Sequence, residues 1–358
     1  MPLLIDGGPI PPRWAEKTAV RAARTHSRHD FTEGSVRIAL VNNMPDAALE
    51  DTEMQFMDLL DAASGNLPVR LKLYSLPLVP RGVRGAQHLT SFYRGIDELW
   101  DSRFDAIIVT GTEPREPSLR DEPYWHILTD VFDWAESNTA SAVLSCLAAH
   151  AGVLHGDGIH RRPLSNKQFG VFESSSICGH ELTQNSVRPL RFPHSRWNEA
   201  PEAALTSCGY TVLTRSAQAG VDLFVKQKKK SLFIHFQGHP EYGTRTLLKE
   251  YRRDIKRFLR QERDTYPTLP HGYFTASATK LLTEFKQIAL AHPREERMVF
   301  FPEALVTDSL QNTWQSSAVS VYRNWLHYLL AKKNEKSAFS TTAHSARVQP
   351  TLAESERA

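Results

Sequence analysis

Short apolar runs alternate along this chain with longer stretches whose apolar residues recur at helical spacing. Val36-Arg-Ile-Ala-Leu-Val41 is a run of the kind found in strands buried on both faces, and it stops at Asn42-Asn43-Met44-Pro45. From Leu49 to Leu60, the residues Met54, Phe56, Met57, Leu59 and Leu60 make a broad apolar face, which predicts a helix. Asp46, Glu50, Asp51 and Glu53 crowd its start, where the macrodipole favours carboxylates. Val69–Tyr74 and Phe104–Thr110 read as further strands, the second stopped by Gly111. Trp125–Trp134 reads as helix, and Ser141–Ser145 as a strand feeding Cys146. A late strand, Leu232–Phe236, ends at Gln237-Gly238-His239-Pro240. The helix after it carries Leu247, Leu248, Tyr251, Ile255, Phe258 and Leu259 on one stripe. Apolar strands separated by helices predict an α/β fold: a doubly wound, mostly parallel sheet with helices on both faces.

The flanks read differently. Residues 1–34 are rich in Arg and Pro without periodicity and are expected to be a mobile N-terminal arm. Residues 332–358 hold few large apolar side chains, so a disordered C-terminal tail is expected. Between them, 35–331 reads as one domain with an insert over about 264–301. Leu281, Leu282, Phe285, Ile288 and Ala289 give that insert a short amphipathic helix, which either packs on the body or serves as a lid. With 43 Lys+Arg against 40 Asp+Glu, the formal charge of +3 excludes a polyanion binder driven by bulk charge, and no nucleic-acid partner is expected. No stretch approaches the roughly 20 apolar residues of a membrane helix, and the N-terminal segment has no secretory h-region. Cys146, Cys178 and Cys208 are too few for a disulfide scaffold. A cytoplasmic protein with free thiols is expected.

Two strand ends carry candidate chemistry. Cys146 sits where a strand gives way to small residues, Ser145-Cys146-Leu147-Ala148-Ala149-His150. A sharp strand-to-helix turn there would expose the sulfur at a helix N-terminus, where the dipole favours a thiolate and free N–H groups can hold an oxyanion. The bland reading is a small core cysteine. Gly238-His239-Pro240-Glu241-Tyr242 also follows a strand directly, bringing His239 to the same sheet edge with Glu241 able to orient its ring. A Cys–His pair aligned by a carboxylate is the general form of an activated nucleophile. His150, His155 and His160 recur at a spacing that keeps no single helix face, and no metal-binding pattern is present, so no metal is expected. Lys226 and Lys228-Lys229-Lys230 read as a solvated hairpin tip which at most helps hold CoA phosphates.

Several motifs then occur in one order: Asn43-Met44-Pro45, Phe104-Asp105 through Val109-Thr110-Gly111, Tyr124-Trp125, Lys167 in Asn-Lys-Gln-Phe-Gly-Val, Pro193-His194-Ser195-Arg196, Gly238 to Tyr242, Tyr251-Arg252-Arg253-Asp254 and Asn324-Trp325-Leu326. In this the chain resembles the homoserine O-succinyltransferases, a family similar to class I glutamine amidotransferases in its flavodoxin-like fold and its Cys-His-Glu triad. The resemblance implies a ping-pong transfer in methionine biosynthesis. Cys146 takes a succinyl group from succinyl-CoA as a thioester, His239 serves as general base with Glu241 orienting it, and L-homoserine accepts. It further implies substrate binding by Lys167, Ser195 and Arg253, no permanently bound cofactor, acyl-CoA as a substrate, and a homodimer. Acetyl-CoA as donor, L-serine as acceptor, a glutamine-hydrolysing amidotransferase and a non-catalytic homologue are the competing readings.

The sequence departs from the family pattern at four places. Asp46, Ala47 and Ala48 stand where the family has lysines, one of them implicated at the oxyanion, which leaves that task to backbone N–H groups such as that of Leu147. Leu147 and His150 replace the residues usual after the cysteine, and His150 lies one helical turn from the thiol. Arg115 falls at a position that varies with acyl specificity; its charge attracts the distal carboxylate of a succinyl group, unless it merely balances Glu113 and Glu116 in an exposed loop. The insert is the fourth.

Overall fold

The computed structural model describes residues 3–22 and 34–346. Its strands are β1 (Leu3–Ile5), β2 (Val36–Val41), β3 (Val69–Tyr74), β4 (Ala106–Thr110), β5 (Ser141–Ser145), β6 (Arg162–Ser176), β7 (Leu190–Glu199), β8 (Thr211–Val212), β9 (Thr214–Ser216), β10 (Gly220–Val221), β11 (Leu223–Lys228) and β12 (Ser231–Phe236). The main sheet has eight strands in the order β1-β3-β2-β4-β5-β12-β11-β8. The six from β1 to β12 are parallel, and β11 and β8 close the sheet antiparallel. A second, antiparallel sheet has the order β10-β9-β6-β7.

The helices are α1 (Pro12–Ala22), α2 (Asp46–Ser64), α3 (Val83–Phe92), α4 (Asp97–Trp100), α5 (Trp125–Asn138), α6 (Leu147–Asp157), α7 (Glu202–Ser207), α8 (Thr246–Leu259), α9 (Ala276–Ala291), α10 (Glu303–Asp308) and α11 (Gln315–Ala346). Alternation along the central strands divides the interior in two. Ile38, Leu40, Ala106, Ile108 and Val143 face one core with Phe56 and Met57 of α2 and Tyr322 and Trp325 of α11. Ala39, Val41, Ile107, Val109 and Leu144 face the other with Val131 and Phe132 of α5 and Ala148 and Ala151 of α6. Helices therefore cover both faces, which is why these strands tolerate no polar side. Trp325 also donates its indole N–H to Ser141 Oγ, at the start of β5, at 3.0 Å. Strand order reverses around β2, flanked by β3 and β4, and in doubly wound sheets the binding crevice opens at the carboxyl ends beside such a point.

The flanks correct two expectations. The arm over 1–34 contains an edge strand, because Leu3–Ile5 extends the sheet along β3, and a helix whose Trp14 is buried. Pro12 occupies the first turn of α1, where its missing N–H leaves nothing unsatisfied. Residues 1–2 and 23–33 lie outside the described residues. The tail expected over 332–358 continues α11 to Ala346, supported by a Lys332–Glu335 pair at 2.9 Å and a Lys333–Asp105 pair at 3.2 Å; residues 347–358 lie outside the description. The insert over 264–301 packs on the body: Leu282, Phe285 and Ala289 of α9 join Leu248, Tyr251 and Ile255 of α8 in a common cluster. Ile288 lies off that buried face, at 40% exposure. The His271 backbone is stitched to β6, donating to Phe169 O at 2.9 Å and accepting from Val171 N at 2.7 Å.

Candidate active site

The register of the sheet assembles the site. Ser145 and Phe236 are paired across β5 and β12, so Cys146 and the Gln237-Gly238-His239 turn leave the sheet side by side at its carboxyl edge. The Cys146 N–H donates to Phe236 O at 2.8 Å. Cys146 then adopts φ 51°, an uncommon backbone conformation for a non-glycine residue, as the chain turns abruptly into α6. Such an elbow holds a nucleophile proud of its strand. Leu147, the first residue of α6, carries one of the N–H groups that a helix cannot satisfy internally. The loop after β4 passes close by: a Cβ on Gly111 would lie 2.5 Å from Leu147 Cβ and 3.0 Å from its N.

His239 is buried between the thiol and a carboxylate. Its Nδ1 bonds Glu241 Oε1 at 2.9 Å, and Ser145 Oγ donates to the same oxygen at 3.1 Å. The Cys146 side chain lies near enough to act on the ring electrostatically. Burial alone would push this imidazole down, but the Cys146 sulfur and the Glu241 carboxylate outweigh it and hold the ring well above its ordinary value. A charged imidazole beside the Cys146 sulfur is what that balance favours.

Lys167, Ser195 and Arg253 gather next to this group. Tyr242 stacks on His239, with centroids 4.1 Å apart, and donates its hydroxyl to Glu250 Oε1 at 2.6 Å. Ser195 Oγ bonds the other Glu250 oxygen. Lys167 Nζ lies 2.8 Å from Asp254 Oδ2 and 3.8 Å from Glu250 Oε2, and Arg253 reaches Asp254 Oδ1 at 3.2 Å. Burial opposes ionisation of Asp254, yet Lys167 and Arg253 hold it below its usual range. Cations and carboxylates thus stand together within reach of the imidazole, the arrangement a zwitterionic ligand requires.

Other residues singled out in the sequence fall elsewhere. Arg115 is exposed, its backbone N–H bonded at 2.5 Å to Glu122 Oε1; Glu113 pairs instead with Arg257 at 3.1 Å. Asp46 accepts the Gly82 N–H at 2.7 Å, fastening the start of α3. His150 bonds Gln237 Oε1 at 3.0 Å rather than the thiol, and burial pushes its pKa down to about 4. The lysine cluster is a correction: Lys228 and Lys229 pair with Glu136 where β11 turns into β12, at the end of the sheet opposite Cys146, so they cannot serve CoA phosphates at this site.

Two features were missed. Arg161 is half-buried in the electrostatic range of Glu122, Tyr124 and Cys146, although its neighbour Arg162 makes the pair look like a solvated turn in the sequence. Asp222 is fully buried under Gly238, in a stretch that reads as a loop between weak strands.

Comparison with known proteins adds relatives. Residues 15–336 match the family described as homoserine O-succinyltransferase. A homoserine O-succinyltransferase of Methylorubrum extorquens is 45% identical over 81% of this chain and 86% of its own length. Its namesake in Rhodopseudomonas palustris is 44% identical over 81% and 87%, and that of Bradyrhizobium japonicum 42% over 82% and 89%. Among solved structures, a glutamine amidotransferase from Thermotoga maritima aligns over 82% of this chain and 98% of its own, with 12% identity and a TM-score of 0.43.

Proposed function

The chain belongs to the homoserine O-succinyltransferase family, and from that premise we propose that it moves a succinyl group from succinyl-CoA to the hydroxyl of L-homoserine through a thioester on Cys146, a step of methionine biosynthesis. The Cys146 thiolate attacks the thioester carbonyl, the carbonyl oxygen takes the charge, and the CoA thiolate leaves with the proton held by His239. His239 then removes the proton of the homoserine hydroxyl, whose oxygen attacks the enzyme thioester and frees Cys146. Glu241 keeps the imidazole aligned and balances its charge. The Leu147 N–H is the donor for the oxyanion, with the Gly111 backbone packed against it. The observation that carries this reading is the His239 ring, bonded to Glu241, in the electrostatic reach of Cys146 and stacked on Tyr242 at the edge of the Lys167–Asp254 group.

That group suits the acceptor: Lys167 and Arg253 match an α-carboxylate, and Ser195 a polar head. For the donor, positive charge near the thiol favours an acyl chain ending in a carboxylate. Arg161 supplies it from a half-buried position and Arg115 from the exposed loop.

CoA release tests the proposal, with succinyl-CoA or acetyl-CoA against homoserine or serine. Succinyl-CoA with homoserine is expected to turn over fastest, Cys146→Ala to be inactive, and Arg161→Gln to lose preference for succinyl over acetyl by about 10-fold or more. Turnover independent of Cys146, or none with any pair, would overturn the reading. A serine-only enzyme would keep the chemistry and replace the acceptor.

A further inference from the structure

The triad leaves unused a carboxylate buried directly beneath it. Asp222, between β10 and β11, has no exposed surface. Its Oδ1 accepts the N–H of Gly238 at 2.7 Å, and its carbonyl accepts that of Gln237 at 3.0 Å. Both residues leading into His239 thus hang on one aspartate, and the His239 N–H itself is held by Pro193 O at 2.7 Å. The fit is tight: a Cβ on Gly238 would lie 2.9 Å from Asp222 Oδ1 and 3.0 Å from His194 Nε2.

His194, also without exposed surface, sets its Nε2 3.6 Å from Asp222 Oδ1. Arg196 donates through Nε to His194 Nδ1 at 3.2 Å. A guanidinium cannot accept, so Nδ1 does, and the single proton of a neutral His194 sits on Nε2, the nitrogen nearest the carboxylate. Burial keeps His194 neutral. Asp222 Oδ2 and His194 Nε2 remain without a hydrogen bond. A carboxylate kept only as structural glue would be saturated with donors, because leaving one oxygen buried and bare is costly. This one is instead strung between the Arg196 charge and the turn that carries the catalytic imidazole.

We propose that Asp222 is a positioning residue for the acyl transfer: a second carboxylate that fixes His239 through the Gly238 amide and stabilises its imidazolium by charge, with His194 and Arg196 behind it. The inference rests on the roles proposed above for Cys146 and His239. The groups that face Asp222 are the Gly238 amide, His194 and Arg196 from β7, and His239 and Glu241 from the turn after β12. Burial, foremost, pushes its carboxyl up to about 6; the Gly238 N–H, Arg196 and His239 pull against that, and Glu241 adds to it. The carboxylate is therefore charged at pH 7 and neutral near pH 5. As pH falls through this window the imidazolium loses a counter-charge and kcat drops.

The test uses the full chain and the isosteric variant Asp222→Asn, assayed with succinyl-CoA and homoserine from pH 5 to 8. The variant is expected to lose on the order of 10-fold in kcat at pH 7.5 with both KM values nearly unchanged, and to lack the inflection near pH 6 seen in the wild type. An unchanged kcat overturns the inference. So does a lowered kcat that keeps the inflection, since a purely structural role would leave it in place. Should Asp222→Asn not fold, the wild-type rate of Cys146 succinylation against pH decides alone, and its lack of an inflection near pH 6 overturns the inference. Intact mass separates the two levels. Wild-type protein that never gains a succinyl group on Cys146 removes the underlying reading, whereas labelled wild type beside an unaffected variant removes only the role of Asp222.

Discussion

At the scale of the residue, backbone contacts decide as much as side chains. Gly111 lies so close to Leu147 that any Cβ would displace the N–H proposed to receive the oxyanion. Gly111→Ala is therefore expected to slow succinylation of Cys146 by about 100-fold while the folded protein persists, as rapid-quench mass measurement and a melting curve would check. Cys146, His239 and Glu241 were legible in the sequence because strand ends announce themselves: small residues follow the thiol, and a Gly-His-Pro turn stops β12. Asp222 was not. Its place beneath Gly238 follows from the pairing of Leu223 with Phe236 across β11 and β12, a register no local pattern encodes. Arg161 was hidden similarly, since its exposed neighbour Arg162, paired with Glu199, is what the dipeptide suggests.

At the scale of the element, the insert illustrates how a helix with a polar exterior joins a fold. Phe285 is 2% exposed and shares a buried apolar cluster with Leu248, Tyr251 and Ile255 of α8, so α9 is packed on the body rather than hinged over the site. Phe285→Ala should cost about 3–5 kcal/mol of stability, read in denaturant, and leave the KM for succinyl-CoA unchanged in the fraction that stays folded. A lid would show the reverse, with an altered KM and little change in stability. Strands β2 to β5 were readable as apolar runs, and α2, α5 and α8 by their stripes. The strand β1 was not, being three residues whose pairing depends on β3, and the long hairpin β6–β7 is too polar along one face to stand out.

Across the whole molecule, buried imidazoles set the response to acid. Burial pushes His150 down to about 4 and His235 to about 3, and holds His194 well below its ordinary value. In the unfolded chain these rings take up protons as pH falls below 6.5, while the folded chain refuses them, so stability declines from about pH 6.5 towards pH 4. The loss is on the order of 3 kcal/mol for His150 or His235 alone. His239 has the opposite sign, its pKa being raised, and its contribution is already complete below 6.5; Asp222, its carboxyl raised to about 6, gains stability over the same window and offsets part of the loss from the three imidazoles. Melting temperature should accordingly fall between pH 7 and pH 4.5, the three imidazoles outweighing the one carboxyl. His235→Phe, which keeps the stack on Phe224, should flatten that fall; an unaltered slope would count against the assignment.

The bond from Trp325 to Ser141 has a consequence for the living synthesis of this chain. Polypeptides emerge from the ribosome amino end first. The strand that leads to the thiol is therefore made long before the histidine proposed to activate it, and longer still before the helix that clamps the strand's other end. Throughout that interval the nascent chain carries an ordinary cysteine, and the reactivity proposed for it arrives only once the late segments have closed around it.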